Sequence, residues 1–510
     1  MKLLLHPRFF MPVVLALFPM LFMGFLAGDA VIHLVFAENA LKGDWFAFNA
    51  GEVSGGETSP GYMLLVMGLM KLVGQTYAPY AMVGLGYAAW LALLVVWFGL
   101  VRNMYPAAPL LAWAMVGAVG LMPGSALNSV LGMENVLLAV GVAGVFAWMF
   151  RTKALERRLH LRHELVLAGM LGFLTWIRPE AVLLAAVVIG VRWLMLASWR
   201  DWAWQLLHAA AMGAVVLGFY GALIVAVWGV SGALPFSGGL ARLQLAMGDA
   251  WMLGPVPVHP KMLMRWLAYA PLAVAFAVGV GVVWSESALP HRRLVVMAAA
   301  VVGVFAVLFS SILPAAHLAR YTVFYWPLVV LVGWVGVWRA TRLLEARVQQ
   351  IVVVMVGVML LGVYGTELYY RKGMAPGHVL ADVATAAERR PAMTEALLAE
   401  LGGPTKTPVS VGLVEVQMRY WYDDQIVVRS LDGIVDRTFS QFANHGRFDY
   451  AGYLKARKVD YMLDYLNLNR YQDGWNPEML VPLGVGDKML HEGIVFERMG
   501  GRVTKLTYGE

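Results

Sequence analysis

The sequence predicts a polytopic α-helical membrane protein of about 11 spans with a C-terminal soluble α/β domain. Three observations carry that reading. Of 510 residues, 60% are hydrophobic and 14% are charged, against roughly 25% charged in soluble domains, and the mean hydropathy is +0.67. Apolar runs near the 20 residues that a bilayer requires recur through the first 370 residues. The charge is also divided unevenly. Residues 371–510 hold 17 Lys/Arg and 18 Asp/Glu, a net −1, whereas residues 1–370 hold 22 Lys/Arg and 14 Asp/Glu, a net +8. The expected domains are therefore a membrane domain over 1–370 and an extracytoplasmic α/β domain over 371–510. Disorder, collagen and coiled coil are excluded by composition. The absence of cysteine removes disulfides, thiolate nucleophiles and iron–sulfur clusters.

The apolar runs lie at about 9–27, 78–100, 107–122, 129–149, 164–177, 180–197, 205–229, 264–284, 294–312, 321–338 and 350–369. The first lacks a small-residue cleavage site and reads as an anchor. Basic residues accumulate on the cytoplasmic side of a membrane. With the N-terminus inside and the runs alternating, 15 Lys/Arg fall inside, with a cluster at Arg151, Lys153, Arg157, Arg158 and Arg162 and a pair at Arg192 and Arg200, and seven fall outside. This bias holds only if the apolar stretch 60–75 lies at the outer interface rather than crossing. The tail is then periplasmic or its equivalent, and the chain is expected in a bacterial cytoplasmic (inner) membrane. Topology accounts for the basic balance, so no nucleic-acid partner is implied.

Acidic residues near a bilayer need a reason. Nine of the 14 in the membrane half fall outside under this topology, and five of those sit in one loop over 28–59: Asp29, Glu38, Asp44, Glu52 and Glu57. The loop opens with Asp29 directly after the first span, reads next as an amphipathic helix (AVIHLVFAENALKG), and ends in Gly-rich turns before Pro60. For Glu38 and Glu52, simple solvation is an equal reading. Asp29 abuts a span, so it must be partnered, hydrated in a cavity, or in use.

Polar residues from distant parts of the chain fall on the same side. Glu134 starts a span in GMEN. Arg178 and Glu180 sit at the tip of a tight hairpin in WIRPEA. His317, Arg320 and Tyr321 lie in AAHLARYTVFYWP, and Arg242 and Lys261 in the long loop 230–263. Cations with a carboxylate at one membrane face suit an anionic lipid-linked substrate: Arg and Lys take a phosphate, and the carboxylate works on a neutral hydroxyl. Structural readings stand beside these. Arg178–Glu180 also reads as an ion pair at the hairpin, Arg320 as a snorkelling anchor, and His33, one helical turn beyond Asp29, as a satisfied interfacial histidine.

The ordered motif set resembles GT-C-fold glycosyltransferases that use polyprenyl-phosphate sugars, and most of all the bacterial arabinofuranosyltransferase-like group. The matching residues are Asp29, Asn39, Gly43, Phe48, Asn49, Gly51, Glu52, Gly56, Thr58, Ser59 and Pro60. GMEN at Gly132–Asn135, RPEA at Arg178–Ala181, LPFSGGLAR at Leu234–Arg242 and ARY at Ala319–Tyr321 follow in order. In the tail, the stretches 411–433 and 453–465 resemble that group's outer domain. Two departures stand out: the group's acidic pair is reduced to Gly28-Asp29, and Arg242 stands where a Lys is expected.

The resemblance implies a GT-C-like membrane enzyme moving a sugar, arabinofuranose as the best specific choice, from a polyprenyl phosphate to an acceptor hydroxyl. Asp29 would be the general base of an inverting single displacement. Arg320, Lys261, Arg242 and Arg178 would bind the donor phosphate. His33, Asp44, Glu57, Glu134, Glu180, His317 and Tyr321 would contact sugar or acceptor or support those that do. The phosphate leaving group needs charge stabilisation rather than an acid. No His/Asp cluster has metal-ligand spacing, so no metal and no cofactor is expected. The rival classes are a lipid-linked glycan ligase or polymerase, which shares the donor chemistry, and a lipid-linked sugar flippase, which would show inverted repeats and charge at mid-membrane.

In the tail, HVLADVATAAERR has helical period, and VSVGLVEV, QIVVRSL and VDYMLDY read as strands. The tail shows no nucleophile motif or phosphate loop and is expected to cover the active face or contact the acceptor.

Overall fold

The computed structural model describes residues 7–196, 201–232, 260–286, 291–312, 323–342, 378–403, 408–413, 416–431, 439–444, 447–463, 488–491, 493–500 and 503–508, with isolated positions at 345, 348, 362 and 365. Along the chain, α1 (Pro7–Leu17) passes into a 3-10 turn (Phe18–Phe22). Then come α2 (Gly28–Leu41), β1 (Ala47–Asn49), β2 (Glu52–Val53), α3 (Pro60–Val73), α4 (Ala78–Met104), α5 (Pro109–Gly120), α6 (Pro123–Ser129) and α7 (Asn135–Thr152). Next are α8 (Leu161–Ile177), α9 (Ala181–Leu196), α10 (Trp202–Ser231), α11 (Pro260–Ser285), α12 (Arg292–Ile312) and α13 (Trp326–Thr341). The tail contributes α14 (Leu380–Glu400), β3 (Val409–Leu413), a 3-10 turn (Val416–Trp421), β4 (Ile426–Ser430), α15 (Tyr450–Arg457), β5 (Tyr461–Leu463), β6 (Lys488–His491), β7 (Ile494–Gly500) and β8 (Val503–Tyr508).

Helices lie on ten of the eleven apolar runs, and the run 350–369 falls almost wholly outside the described residues. By length and composition, three described helices can cross a membrane alone: Ala78–Met104, Asn135–Thr152 and Trp202–Val230. Prolines set several starts, because a missing N–H costs nothing in the first turn: Pro60, Pro109 and Pro123 each open a helix. Two expectations change. The first run is not helical to residue 27; it ends at Phe22, after Pro12 and Pro19, and a new helix starts at Gly28. The run 107–122 is followed by a separate helix, α6, bent 68° from α5. At 14 residues, α3 is shorter than a span needs.

The chain divides into two compact units. One comprises Met1–Phe25, Met82–Ala222 and Pro257–Gly377; the other comprises Leu26–Ala81, Leu223–Val256 and His378–Glu510. The first loop and the tail fall in the same unit.

The first unit is the helix bundle. Trp90, Trp97 and Phe146 are fully buried at its centre, with the Trp97 and Phe146 rings 6.0 Å apart. Large apolar side chains such as Val95, Leu110, Phe173, Leu217 and Trp284 face outward, as a lipid-facing surface requires. Helices α11 and α13 approach at glycine. A Cβ on Gly279 would lie 2.1 Å from the Val332 carbonyl oxygen, and one on Gly336 would lie 2.3 Å from the Gly279 Cα. Small residues at such crossings let backbones touch.

The second unit holds a six-stranded mixed sheet in the order β6-β7-β8-β5-β3-β4. Strand β3 runs parallel to both β4 and β5, and the remaining pairs are antiparallel. The expected helix and three strands are present, with the helix continuing through Pro391 to Glu400. Helix α15 and the meander β6–β8 were not expected. In the first loop, α2 is not amphipathic: every residue from Ala30 to Ala40 is buried. It is enclosed by α3, by β1 and by the Val416–Trp421 turn, so its polar residues meet protein partners instead of water.

Gly279→Leu is expected to push α11 and α13 apart and lower stability by about 1–3 kcal/mol, the usual range for overpacking. A thermal melt of the detergent-solubilised protein measures it; an unchanged midpoint refutes the contact.

Candidate functional site

The first loop is fixed to the tail by its own polar residues. The Asn39 amide donates to the carbonyls of Ala47 and Phe48 at 2.9 and 3.1 Å, which pins β1 against the end of α2. Asn49 accepts from the Val428 N–H at 3.0 Å and donates to the Val428 carbonyl at 2.9 Å. Glu52 pairs with Arg429 at 2.5 Å and with Arg457. Glu38 takes Arg390 at 2.5 and 2.6 Å through both oxygens, Lys42 at 2.9 Å and the Gln75 amide at 2.6 Å. The Arg390 guanidinium also stacks over the Tyr420 ring, 4.7 Å from its centre.

Electrostatics follow the pairing. Burial works to raise the Glu38 carboxyl, but the hydrogen bonds and charges of Arg390 and Lys42 outweigh it and hold the group below the ordinary carboxylate range. Glu52 is likewise lowered, burial being outweighed by Arg429 and Arg457. Burial pushes the Tyr420 phenol up to about 12. The solvated reading of Glu38 and Glu52 is therefore replaced: the first is buried and the second half-buried, and each is held by opposed guanidinium groups.

Two more loop carboxylates hold the loop's own shape. Asp44 accepts from the Gly51 N–H at 3.1 Å. Glu57 is 1% exposed; its Oε2 lies 3.0 Å from His33 Nδ1, and its Oε1 accepts from the Ser59 N–H at 2.7 Å. The His33 ring meets Tyr62 edge-on with centroids 5.1 Å apart, so His33 is a buried, satisfied histidine.

Asp29 occupies the first turn of α2, the end that favours a carboxylate, and is half-buried. It lies one turn before His33, on the same helix face. A Cβ on its neighbour Gly28 would lie 3.1 Å from the Gln417 side chain of the tail. A side chain at position 28 would require Gln417 to shift by a few tenths of an ångström.

In the helix bundle, the α8–α9 hairpin is held by Arg178. Its guanidinium donates to Glu134 Oε1 at 2.5 Å, to Asn135 Oδ1 at 3.0 Å, and to both oxygens of Glu180 at 3.2 and 2.8 Å. Arg178 and Glu134 are buried. Arg178 thus meets two carboxylates and an amide, the ion-pair arrangement at the hairpin. Glu134 and Glu180 are its holders.

No family model matches the chain, and no curated protein does. Solved structures do. ArnT from Cupriavidus metallidurans, bound to undecaprenyl phosphate, matches 91% of this chain and 94% of its own at 17% identity, with a TM-score of 0.50. The archaeal oligosaccharyltransferase AglB from Archaeoglobus fulgidus, in complex with an inhibitory peptide and a dolichol-phosphate, matches 92% of this chain and 71% of its own at 10% identity, with a TM-score of 0.57. The chain has the GT-C fold.

On this GT-C chain, His33 and Glu57 are paired one helical turn from Asp29, Asp44 lies past the other end of α2, and Arg178, Glu134 and Glu180 come together in the bundle. Arg242, His317, Arg320 and Tyr321 lie outside the described residues, as does the side chain of Lys261, whose backbone sits at the start of α11. Sequence reasoning missed Arg390, Gln417, Arg429 and Arg457. Their signal was faint: an excess of acid in one loop and arginines some 350–400 positions later, with no spacing to link them.

Two outcomes follow. Arg178→Met leaves Glu134 buried without its partner and is expected to cost about 3–5 kcal/mol, read as a lowered melting midpoint; wild-type stability would refute the buried pair. The contribution of Glu38 and Glu52 is full above their ordinary value of 4.5 and fades as pH falls through their lowered folded values. The melting midpoint should therefore drop on acidification below that point, and Glu38→Gln combined with Glu52→Gln should flatten the dependence.

Proposed function

We propose that this chain is a membrane glycosyltransferase that moves a sugar from a polyprenyl phosphate to an acceptor hydroxyl at the outer membrane face. The observation that carries this reading is the GT-C fold over nine-tenths of the chain, shared with a protein whose structure holds undecaprenyl phosphate. The order of first-loop motifs supports it independently.

The acceptor hydroxyl must lose its proton as it attacks the anomeric carbon, while the phosphate leaves already charged. Asp29 is the base: a carboxylate on a helix end that the whole first loop holds still. His33, clamped by Glu57, packs behind it on the same face and positions it. Arg320, with Lys261 or Arg242, meets the charge on the departing phosphate. Attack opposite the leaving group inverts the anomeric centre in one displacement, and cationic side chains do the work that a metal would otherwise do. Glu134 and Glu180 set the hairpin around Arg178. Arabinofuranose is the donor sugar by motif resemblance; the acceptor is a glycan, lipid or protein. The membrane is the bacterial cytoplasmic one, with the tail outside. A second reading, transfer of a lipid-linked oligosaccharide, is favoured by the higher TM-score to AglB.

A panel of short-chain polyprenyl-phosphate sugars and oligosaccharides separates the two. Asp29→Asn is expected to keep fold and donor binding while lowering turnover by about 10²–10⁴-fold, the usual contribution of a general base. Full turnover in that variant removes Asp29 from the mechanism; no turnover by wild type with any donor removes the reaction.

A further inference from the structure

The tail places a side chain beside the residue proposed as the base. The atoms nearest to a Cβ built on Gly28 are Cδ and Nε2 of Gln417, both at 3.1 Å, with Cγ at 3.5 Å. The amide head, rather than the aliphatic stem, therefore lies over the residue next to Asp29. One Cα–Cβ bond and one peptide unit separate that point from the Asp29 Cα, so Nε2 is no more than about 8.5 Å from it. Both residues belong to the same compact unit, and both are half-buried. A gap of that size admits one sugar residue of a bound acceptor.

Gln417 is fixed through its neighbours. In the 3-10 turn Val416–Trp421, Val416, Arg419, Tyr420 and Trp421 are buried, whereas Gln417 and Met418 are half-buried. Arg390 Nε donates to the Tyr420 carbonyl at 2.7 Å, and Arg419 donates to the Tyr422 carbonyl and to Asp424, each at 2.5 Å. Arg390 also takes Glu38 toward the other end of α2, so the turn and the helix are tied together. The two heads differ in chemistry. An ionised carboxylate only accepts, whereas an amide presents two N–H donors and a carbonyl with two lone pairs, so it can keep a protein contact and still serve a substrate. Beside a base that takes the proton of one hydroxyl, an amide suits a second hydroxyl, which both donates and accepts. It also adds no charge, where a second carboxylate would oppose the ionisation of Asp29.

Resting on the reading of Asp29 as base, we infer that Gln417 is an acceptor-binding residue: its amide holds the hydroxyl adjacent to the one that Asp29 deprotonates, and the acceptor is a glycan with a vicinal diol. The tail then supplies part of the acceptor site. The attacking oxygen bonds to the anomeric carbon as the bond from that carbon to the phosphate oxygen breaks, the proton passes to Asp29, and Gln417 exchanges no proton.

The full-length protein is assayed with short-chain polyprenyl-phosphate sugars as donors and octyl glycosides as acceptors, each beside its set of monodeoxy analogues. Loss of the attacking hydroxyl abolishes transfer; loss of an adjacent one should lower wild-type kcat/KM by about tenfold. Gln417→Met, which keeps the length of the side chain, should lower kcat/KM for the intact glycoside by a similar factor through the acceptor KM, leave the donor KM unchanged, and bring the preference over the adjacent-deoxy analogue close to one. Gln417→Leu should do the same. An unchanged preference in variants that melt like wild type overturns the role of Gln417, as does an equal fall for intact and deoxy acceptors, which is a packing effect. Turnover confined to a seryl peptide, dodecanol or phosphatidylglycerol overturns the glycan acceptor. These results leave Asp29 in place as base. Full turnover in Asp29→Asn, or none by wild type with any acceptor, instead overturns the reading on which the inference stands.

Discussion

The fixed position of helix α2 rests on arginines supplied from the other end of the chain. Glu38 is clamped by Arg390 and Glu52 by Arg429 and Arg457. A helix buried over Ala30–Ala40 that carries a histidine, a glutamate and an asparagine would be expensive without such partners. With them, the polar groups are satisfied and the helix end bearing Asp29 is held by packing and ion pairs from several directions. Precision of this kind is what the role proposed for Asp29 would require.

The helix bundle uses charge in the same way with a different result. Arg178–Glu134–Glu180 and Arg192–Glu164 each pin helix ends that have few other polar contacts. Each pair lies near a helix terminus, where a side chain can reach both a carboxylate and freed backbone carbonyls. The two pairs differ in completeness. The Arg178 guanidinium is surrounded on three sides, whereas the Glu164 carboxylate keeps one oxygen without a hydrogen bond.

Much of this architecture was legible in the sequence, because hydrophobic period and proline position act locally. The starts of α3, α5 and α6 are written in Pro60, Pro109 and Pro123, and the hairpin in Arg178-Pro179. The tail strands around Val411 and Val428 announce themselves as short β-branched runs. Helix α2 was located but its burial was misjudged, since His33, Glu38 and Asn39 look solvent-facing until their distant partners are known. The meander β6–β8 was missed although Val503–Tyr508 alternates, because its strands carry Lys488, Glu497, Arg498 and Lys505 among the apolar positions. For the site, the acidic loop was the visible clue. The sequence could not say that Glu38 and Glu52 serve as fasteners, because ion pairs across some 350–400 positions leave no periodic trace.

The contact between Asn49 and Val428 has a consequence for how this chain avoids its own copies. Strand β4 is the last in its sheet, and an unpaired outer border invites another strand to add. Proteins commonly blunt such a border with lysine, proline or a bulge; here one asparagine amide occupies the donor and acceptor of Val428, mimicking a partner strand for a single residue. The cap belongs to a segment synthesised some 380 residues earlier, so it is already made when the border emerges from the ribosome.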